Sequence, residues 1–545
     1  VPAPVRIGTA MSVRGWAGLL RLNLRRDWLL PVLFTVFLGI VPGSLTDAIR
    51  AAYPTDAGRA EYAALSQANP AFTVVYGPLF DSSLGAMGVW RAGFVPFVLG
   101  LVAALLAVRW TRSEEAEGRT EVLRALPVGR AAPAAAALVG TTLMNCAVGV
   151  LVFAGFAARQ LPLAGSLAAG LGYALTGISA AGTAVLVAQV LSGRGVTLGV
   201  VVALGLASYA LRGIGEVSAT TGGASGWLSW TNPLGWLTEV RPFAGDRWWV
   251  LLLPALLTVG AGMAALRLSD RDLGAGVLSL PEPTRDARPV PSVHALAWRL
   301  QRGRLFAWLA VYLLIGLGLG GVAGTIETIA GSNQAVLDAL ARVGITGTPA
   351  QTYLYLMVGL CADAAAVYAV TSLLTLRREE LDGHAEPLLA TPLTRTRWLL
   401  SHLPYAVLAP VLLQAVLIAA VVAGGGPIAA KELGFMTSAA LTLLPPVWVF
   451  AGIALLLVAA LPHHATWLTW TYVVVAFATR LLSQAFGLDA RIRYLSPFEF
   501  SGRAEASELA RSDLPLANMI GLALLAAVLA LAAATALRRR PIPSP

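Results

Sequence analysis

Twelve apolar runs, each near the length that carries a helix across hydrocarbon, follow one another along the 545 residues. A span needs about 20 such residues to cross about 30 Å of bilayer core. The runs lie near 28–46, 93–110, 132–157, 161–191, 196–211 and 248–266, then near 305–323, 353–376, 398–423, 435–461, 465–485 and 514–537. Composition agrees: 57% of residues are apolar and 12% charged, about half the roughly 25% charge of an ordinary soluble domain. A soluble multidomain enzyme and a disordered chain are both excluded, and an all-α polytopic membrane protein of twelve transmembrane helices is expected. Two runs fit less well. The run at 196–211 is short, and 435–461 contains Pro445-Pro446, which predicts a kink.

The formal charge of +10 would suggest nucleic acid in a soluble protein. In a membrane protein it is first a topology signal. With the N-terminus placed inside, 25 of the 39 basic residues fall on cytoplasmic segments and 14 outside. This bias predicts a plasma-membrane protein with both termini cytoplasmic and no nucleic-acid partner. Trp227, Trp230, Trp236, Trp248 and Trp249 crowd the outer end of the sixth run as an interfacial belt. No cleavable signal peptide is expected. Before the first span, Trp16, Leu19, Leu20 and Leu24 share one face of Val13 to Asp27, opposite Arg14, Arg21 and Arg25, which predicts an interfacial helix on the cytoplasmic leaflet. Cys146 and Cys361 lie inside apolar runs and suggest neither a disulfide nor a metal site.

A charged segment is written twice. Arg112-Ser-Glu-Glu-Ala-Glu-Gly-Arg-Thr-Glu-Val-Leu-Arg-Ala-Leu-Pro-Val-Gly-Arg130 aligns without gaps to Arg377-Arg-Glu-Glu-Leu-Asp-Gly-His-Ala-Glu-Pro-Leu-Leu-Ala-Thr-Pro-Leu-Thr-Arg395, with nine of nineteen positions matched. Each copy follows the second span of its half, and Pro233 and Pro497 form a weaker echo after the fifth. The expected architecture is therefore two fused six-helix repeats. It divides into a tail and interfacial helix (1–27), a first half (28–266), a Pro- and Arg-rich cytoplasmic linker (267–304), a second half (305–537) and a short tail (538–545).

The repeated segment is too acidic for a mere topogenic flank. Glu115 and Arg119, and Glu121 and Arg124, stand at pairing distance on a helix. Gly118 and Gly383 permit a turn, and Pro127 and Pro392 end a short helix before the next span. Two such stubby helices on the cytoplasmic face suit a two-fold symmetric partner. An ATP site is not legible in the chain itself. A phosphate loop ends in Gly-Lys-Ser/Thr, and the one lysine, Lys431, lies between Ala430 and Glu432. Leu191-Ser-Gly-Arg-Gly195 reads as a glycine turn between spans.

These motifs carry a family likeness. The Arg-x-Glu-Glu-x-x-Gly-x-x-Glu-x-Leu-x-Ala-x-Pro segment resembles that of actinobacterial ABC type-2 exporter permeases, and so do Arg271-Asp-Leu-Gly-Ala-Gly276, Pro233-Leu-Gly-Trp and Arg241-Pro-Phe-Ala-Gly-Asp-Arg-Trp-Trp249. The fused twelve-span, tetronasin-resistance-like group is the nearest in pattern. The resemblance implies a permease with no catalytic site of its own, which assembles with two copies of a separate ATP-binding cassette subunit and expels lipophilic compounds. ATP and Mg would be bound by that partner. The repeated segments would be coupling helices, with Arg112, Glu114, Glu115, Gly118, Glu121 and Pro127, and Arg377, Glu379, Glu380, Gly383, Glu386 and Pro392, forming or flanking the contact. His384 and Pro387 depart from the first copy and suggest unequal coupling.

Polar residues inside the spans offer few pathway candidates. Asp363 is a carboxylate well within hydrocarbon, where charge is costly and faces a cavity or a partner. Asn145 reads as a helix–helix hydrogen-bonder or a pathway group, Arg212 and Arg480 as snorkelling side chains, and His463-His464 as a turn with no metal assigned. Outside, Ala57 to Gln67 and Gln334 to Val343 read as short lid helices, and 213–247 as a segment dipping back into the outer leaflet. Two other functions remain open: a proton-coupled secondary transporter built on Asp363, and a membrane scaffold without transport.

Overall fold

The structure, a computed structural model, describes residues 12–67, 70–116, 118, 127–271, 276–278, 292–331, 348–486, 494–501 and 514–540. The chain divides into two compact units, Val1–Asp286 and Ala287–Pro545. Among the described residues secondary structure is helical apart from one isolated parallel bridge between Leu191 and Leu278. Among the described residues eleven helices are long and apolar enough to cross a membrane.

In the first unit, α1 (Trp16–Asp27) leads into α2 (Leu29–Ala52). The short helices α3 (Asp56–Gln67), α4 (Pro70–Tyr76) and α5 (Leu84–Arg91) follow. Next come α6 (Val95–Arg109), α7 (Arg112–Ala116), α8 (Ala132–Ala157), α9 (Leu163–Val190) and α10 (Arg194–Thr220). A 3-10 turn (Gly226–Thr231), α11 (Pro233–Val240) and α12 (Leu252–Arg267) complete it.

Small residues let the longest helices touch backbone to backbone. A Cβ on Gly149 or on Gly170 would lie 2.6 Å from the carbonyl oxygen of the other, so α8 and α9 cross only because both positions lack a side chain. The core beside them holds Leu99, Val108, Val148, Val152, Phe156, Tyr173 and Val185. Opposite faces stay apolar and exposed: Val32, Val36, Phe37 and Ile40 on α2, and Leu252, Leu256, Val259 and Met263 on α12. Stripes of this kind, at helical spacing, suit lipid and not water.

The amphipathic reading of α1 holds in part. Leu19 and Leu20 are buried against Ala132 and Ala136 of α8, with Trp16 packed beside them, but Leu24 is exposed. The lid expectation over 57–67 coincides with α3, while Gln334 to Val343 lies outside the described residues. Within the 213–247 stretch, Asn232, Leu234, Leu237 and Val240 are buried in the unit. Its Arg241 to Trp249 motif is pinned by a loop in which Arg241, Phe243 and Asp246 all take positive φ, and the Phe243 N–H donates to Asp246 Oδ1 at 2.8 Å. The Phe243 ring covers Gly85 and Gly165, where any Cβ would overlap it.

The second unit comprises α13 (Val293–Gly331), α14 (Pro349–Leu381), α15 (Ala385–Leu389), α16 (Arg395–Lys431), α17 (Leu433–Ala460), α18 (Ala465–Phe486), a 3-10 turn (Pro497–Ser501) and α19 (Leu516–Arg539). Helix α13 begins at Val293, inside the stretch read as linker. Its Gly320 meets the Val421 carbonyl of α16, an approach a side chain would block. Helix α16 is two helices joined at Gly426, whose φ of 58° breaks the ladder. Helix α17 runs through Pro445-Pro446 with both prolines buried. On α19, Leu516, Ile520, Leu524, Val528 and Leu531 form an exposed apolar stripe. The eleventh expected span corresponds to α18, which is apolar over Ala465–Phe477 among the described residues.

Candidate functional site: two anchored elbows

The described part of each copy of the repeated segment forms the base of an elbow. In the first, α6 passes through Trp110 and Thr111 into α7, and Gly118 turns the chain at φ +71°. Residues 119–126, which include Arg119, Glu121 and Arg124, lie outside the described residues. The returning strand is held by backbone: Gly129 N donates to Arg14 O at 2.9 Å and Ala131 N to Ser12 O at 3.2 Å. A Cβ on Gly129 would overlap the Ser12 carbonyl, so this approach requires glycine.

Glu115 is the hub. Its Oε2 accepts from Arg112 Nη1 at 2.6 Å and its Oε1 from Arg271 Nη2 at 2.7 Å. Arg112 is only 2% exposed and its other arm donates to the Leu191 carbonyl. Arg271 Nε donates to Gln189 Oε1 at 2.9 Å. The cluster thus ties the elbow to the C-terminal end of α9 and to the segment just after α12. Carbonyls there have no partner inside their own helix, and a cation complements the negative end of the dipole. The turn at Leu191-Ser-Gly-Arg-Gly195 is therefore part of the anchor.

A second cluster docks α1 to the same elbow. Asp27 accepts from Arg109 at 2.7 and 2.9 Å, from Arg26 and from Trp110 Nε1 at 3.0 Å. Arg26 also pairs with Glu114 at 2.8 Å. Burial by itself would raise the Asp27 carboxyl, but the hydrogen bonds from Arg109, Arg26 and Trp110 outweigh it and hold it well below its ordinary value.

The second elbow repeats the plan with its own residues. Arg377 Nη1 donates to Glu380 Oε2 at 2.9 Å and Arg540 Nη2 to Glu380 Oε1 at 2.7 Å. Arg540 Nη1 reaches the Val458 carbonyl at 2.7 Å, at the C-terminal end of α17. Arg395 donates to the Leu537 carbonyl at 3.2 Å, as Arg130 does to Asp270 O at 3.1 Å in the first unit. Glu379 faces His384 at 3.6 Å.

The expected site residues therefore separate into two groups. Arg112, Glu115, Arg377 and Glu380 form the base of each elbow and point inward. Gly118, Gly383, Pro127, Glu386 and Pro392 form the tip: the latter three are exposed, and a Cβ at either glycine would meet nothing within 4 Å. Leu381, 62% exposed, adds an apolar group to the second tip. Sequence reading missed the arginines that close the two clusters as partners of the glutamates. Arg271 and Arg540 each follow the last long helix of their unit, but Arg540 reads as a topogenic charge.

The intramembrane expectations fare differently. Arg212 does not snorkel: it is buried, donating to the carbonyls of Val74 at 2.8 Å, Val75 at 3.1 Å and Gly93 at 3.3 Å, with Glu216 Oε2 3.6 Å from its Nε. The reason is that α10 continues to Thr220, which carries Arg212 into the body where α4 ends with unpaired carbonyls. Arg480 lies on α18. Asn145 is fully buried on α8, but its Nδ2 donates to Thr141 O of its own helix at 2.8 Å, and its Oδ1 sits over Gly177 of α9. Asp363 is half-buried on α14. Among the described residues no group of histidine, cysteine and carboxylate side chains could hold a metal ion.

Residues 291–538 match the family described as multidrug efflux system permease Rv1217c, C-terminal domain. The chain is 34% identical over 537 residues to the multidrug efflux system permease protein Rv1217c of Mycobacterium tuberculosis (strain ATCC 25618 / H37Rv), an alignment that covers 97% of this chain and 95% of that relative.

Proposed function

The chain belongs to the multidrug efflux permease family that includes Rv1217c, a membrane transporter component and not a catalyst in its own right, and from that premise we propose that it is the membrane subunit of an ATP-binding cassette exporter. Two copies of a separate ATPase subunit would bind ATP and Mg and dock on the elbow tips. The cargo would be lipophilic small molecules. Helix α18 would supply the twelfth span, the two units would descend from one duplicated six-helix ancestor, and both termini would lie in the cytoplasm.

The observation that carries this reading is the matched anchoring of the two elbows. In each unit a buried arginine and a glutamate three residues on are closed by an arginine that follows the last long helix. A contact surface that passes force to a helical body must be fixed to that body. Here the acidic base supplies the fixing, and the exposed positions at Pro127, or at Glu386 and Pro392, supply the surface.

The test is co-expression with the ATPase subunit, followed by hydrolysis measurements on the Glu115→Lys, Glu380→Lys double variant. The reading expects an assembled complex whose hydrolysis no longer responds to lipophilic drugs. Drug-stimulated hydrolysis at the wild-type level would overturn it.

A further inference from the structure

Helix α1 is fixed along its inner edge at three helix ends. Leu19 and Leu20 pack on Ala132 and Ala136 in the first turns of α8, Asp27 is held by Arg109 and Trp110 at the end of α6, and Trp28 leads into α2. Leu20 and Asp27 stand about 10 Å apart along the helix axis. Helix α1 therefore runs along the level at which its neighbours begin and end, and not across it. The stretches of α2 and α8 able to cross a membrane start at Pro31 and Ala132, so that level is the boundary between hydrocarbon and headgroups. The outer face of α1 carries Arg21 and Arg25, one helical turn apart and both exposed. Among the described residues neither guanidinium has a hydrogen bond or an ion pair. The nearby acids are engaged on the inner side, Asp27 by Arg109 and Trp110 and Glu114 by Arg26. A shallow groove joins the two arginines to Ala17, Leu24 and Trp28. Exposed apolar surface continues from there along α2 through Leu29, Val32 and Leu33.

We propose that this face of α1 is a binding site for an anionic phospholipid. Arg21 and Arg25 hold its phosphate, and its acyl chains lie on Leu24, Trp28 and the apolar stripe of α2. Guanidinium groups suit a phosphate because their paired N–H donors match its oxygens. A zwitterionic lipid brings an ammonium group that the two cations repel. A soluble acidic protein would match the charge but leave the apolar surface at Trp28 and Leu29 in water. Positive charge at headgroup level, with apolar surface leading from it into hydrocarbon, is thus complementary to a lipid of net negative charge. The bound lipid clamps α1 from the side opposite its contacts with the elbow. The inference needs α2 to cross a membrane and does not depend on the ATPase assignment, so either can fail alone.

The test is fluorescence quenching on the full chain, without ATPase or nucleotide, in phosphatidylcholine nanodiscs. With Cys146 and Cys361 replaced, a bimane label on Leu29→Cys reports beside the groove. A label on Leu256→Cys of α12, also exposed, reports on lipid elsewhere. Each is quenched with equal small mole fractions of doxyl-labelled phosphatidylglycerol or doxyl-labelled phosphatidylcholine, and the ratio of the two gives the local preference. An arginine near an anionic lipid is worth about fivefold in binding, so phosphatidylglycerol should be favoured about 5–25-fold at Leu29 and not at Leu256. Arg21→Gln with Arg25→Gln, both exposed and so dispensable for folding, should bring the preference at Leu29 to about one. Arg21→Lys with Arg25→Lys should keep most of it, and raised salt should weaken it. A preference at Leu29 that survives the glutamine pair, or an equal preference at Leu256, overturns the proposal. So does the lack of any preference at Leu29, the result expected if this face were reserved for a soluble protein.

Discussion

Arg271 reaches back across 156 residues to place its guanidinium 2.7 Å from Glu115. Arg540 stands to Glu380 at the same distance in the second unit. Each contact joins the elbow to the end of the last long helix, so movement of one is felt by the other.

Loss of either arginine should loosen its elbow. Both pairs are largely buried, and removing one charged partner forfeits about 1.5–3 kcal/mol. Arg271→Gln or Arg540→Gln is expected to lower the thermal midpoint of the purified protein. Restoration by Glu115→Gln in the Arg271→Gln background, measured as a double-variant cycle, would show that the pair and not general packing is responsible.

The elbows illustrate what the sequence carries and what it hides. The Arg–Glu spacing of 112 to 115 is local, and its recurrence at 377 to 380 stands out against an apolar background. The closing arginines are distant in sequence and separated from the glutamates by unequal intervals, so no alignment pairs them. Hydropathy located the spans but not their ends: the apolar run at 196–211 stops at Arg212, whereas α10 continues to Thr220 because Arg212 finds carbonyls to satisfy. Val293 starts its helix ahead of the apolar run for the same reason, with Gln301 and Arg304 bonded inside the unit to His402 and to Thr371 O.

Asp27 predicts a pH dependence with a definite sign. Its carboxyl lies below its ordinary value in the folded protein, so its stabilisation is present above the unfolded-state value and is lost as pH falls through the depressed one. The docking of α1 should therefore persist from neutral pH down through the usual carboxylate range. Asp27→Asn should lower the thermal midpoint at neutral pH and flatten its fall in strong acid, read by thermal scans across pH.

Besides Gly149 and Gly170, the close approach of α8 and α9 needs Gly177. A methyl group there would overlap Asn145 Oδ1, and overpacking of this kind costs about 1–3 kcal/mol. Gly177→Ala should lower the thermal midpoint, and Asn145→Ala added to it should recover part of the loss.

Asp363 separates two energy sources. With ATP as the driver, Asp363→Asn should leave drug-stimulated hydrolysis by the permease–ATPase complex unchanged. A proton-coupled transporter would instead lose transport driven by a pH gradient in vesicles holding the purified chain alone.

The elbow tips give the most direct test of how the permease is energised. With Cys146 and Cys361 replaced, single cysteines at Pro127→Cys and Glu386→Cys, both exposed positions, can be cross-linked to a co-purified ATPase subunit, with Thr221→Cys at the far end of α10 as control. Cross-links from both tips and none from Thr221 are expected. A complex that forms fully while neither tip captures the ATPase would contradict the assignment.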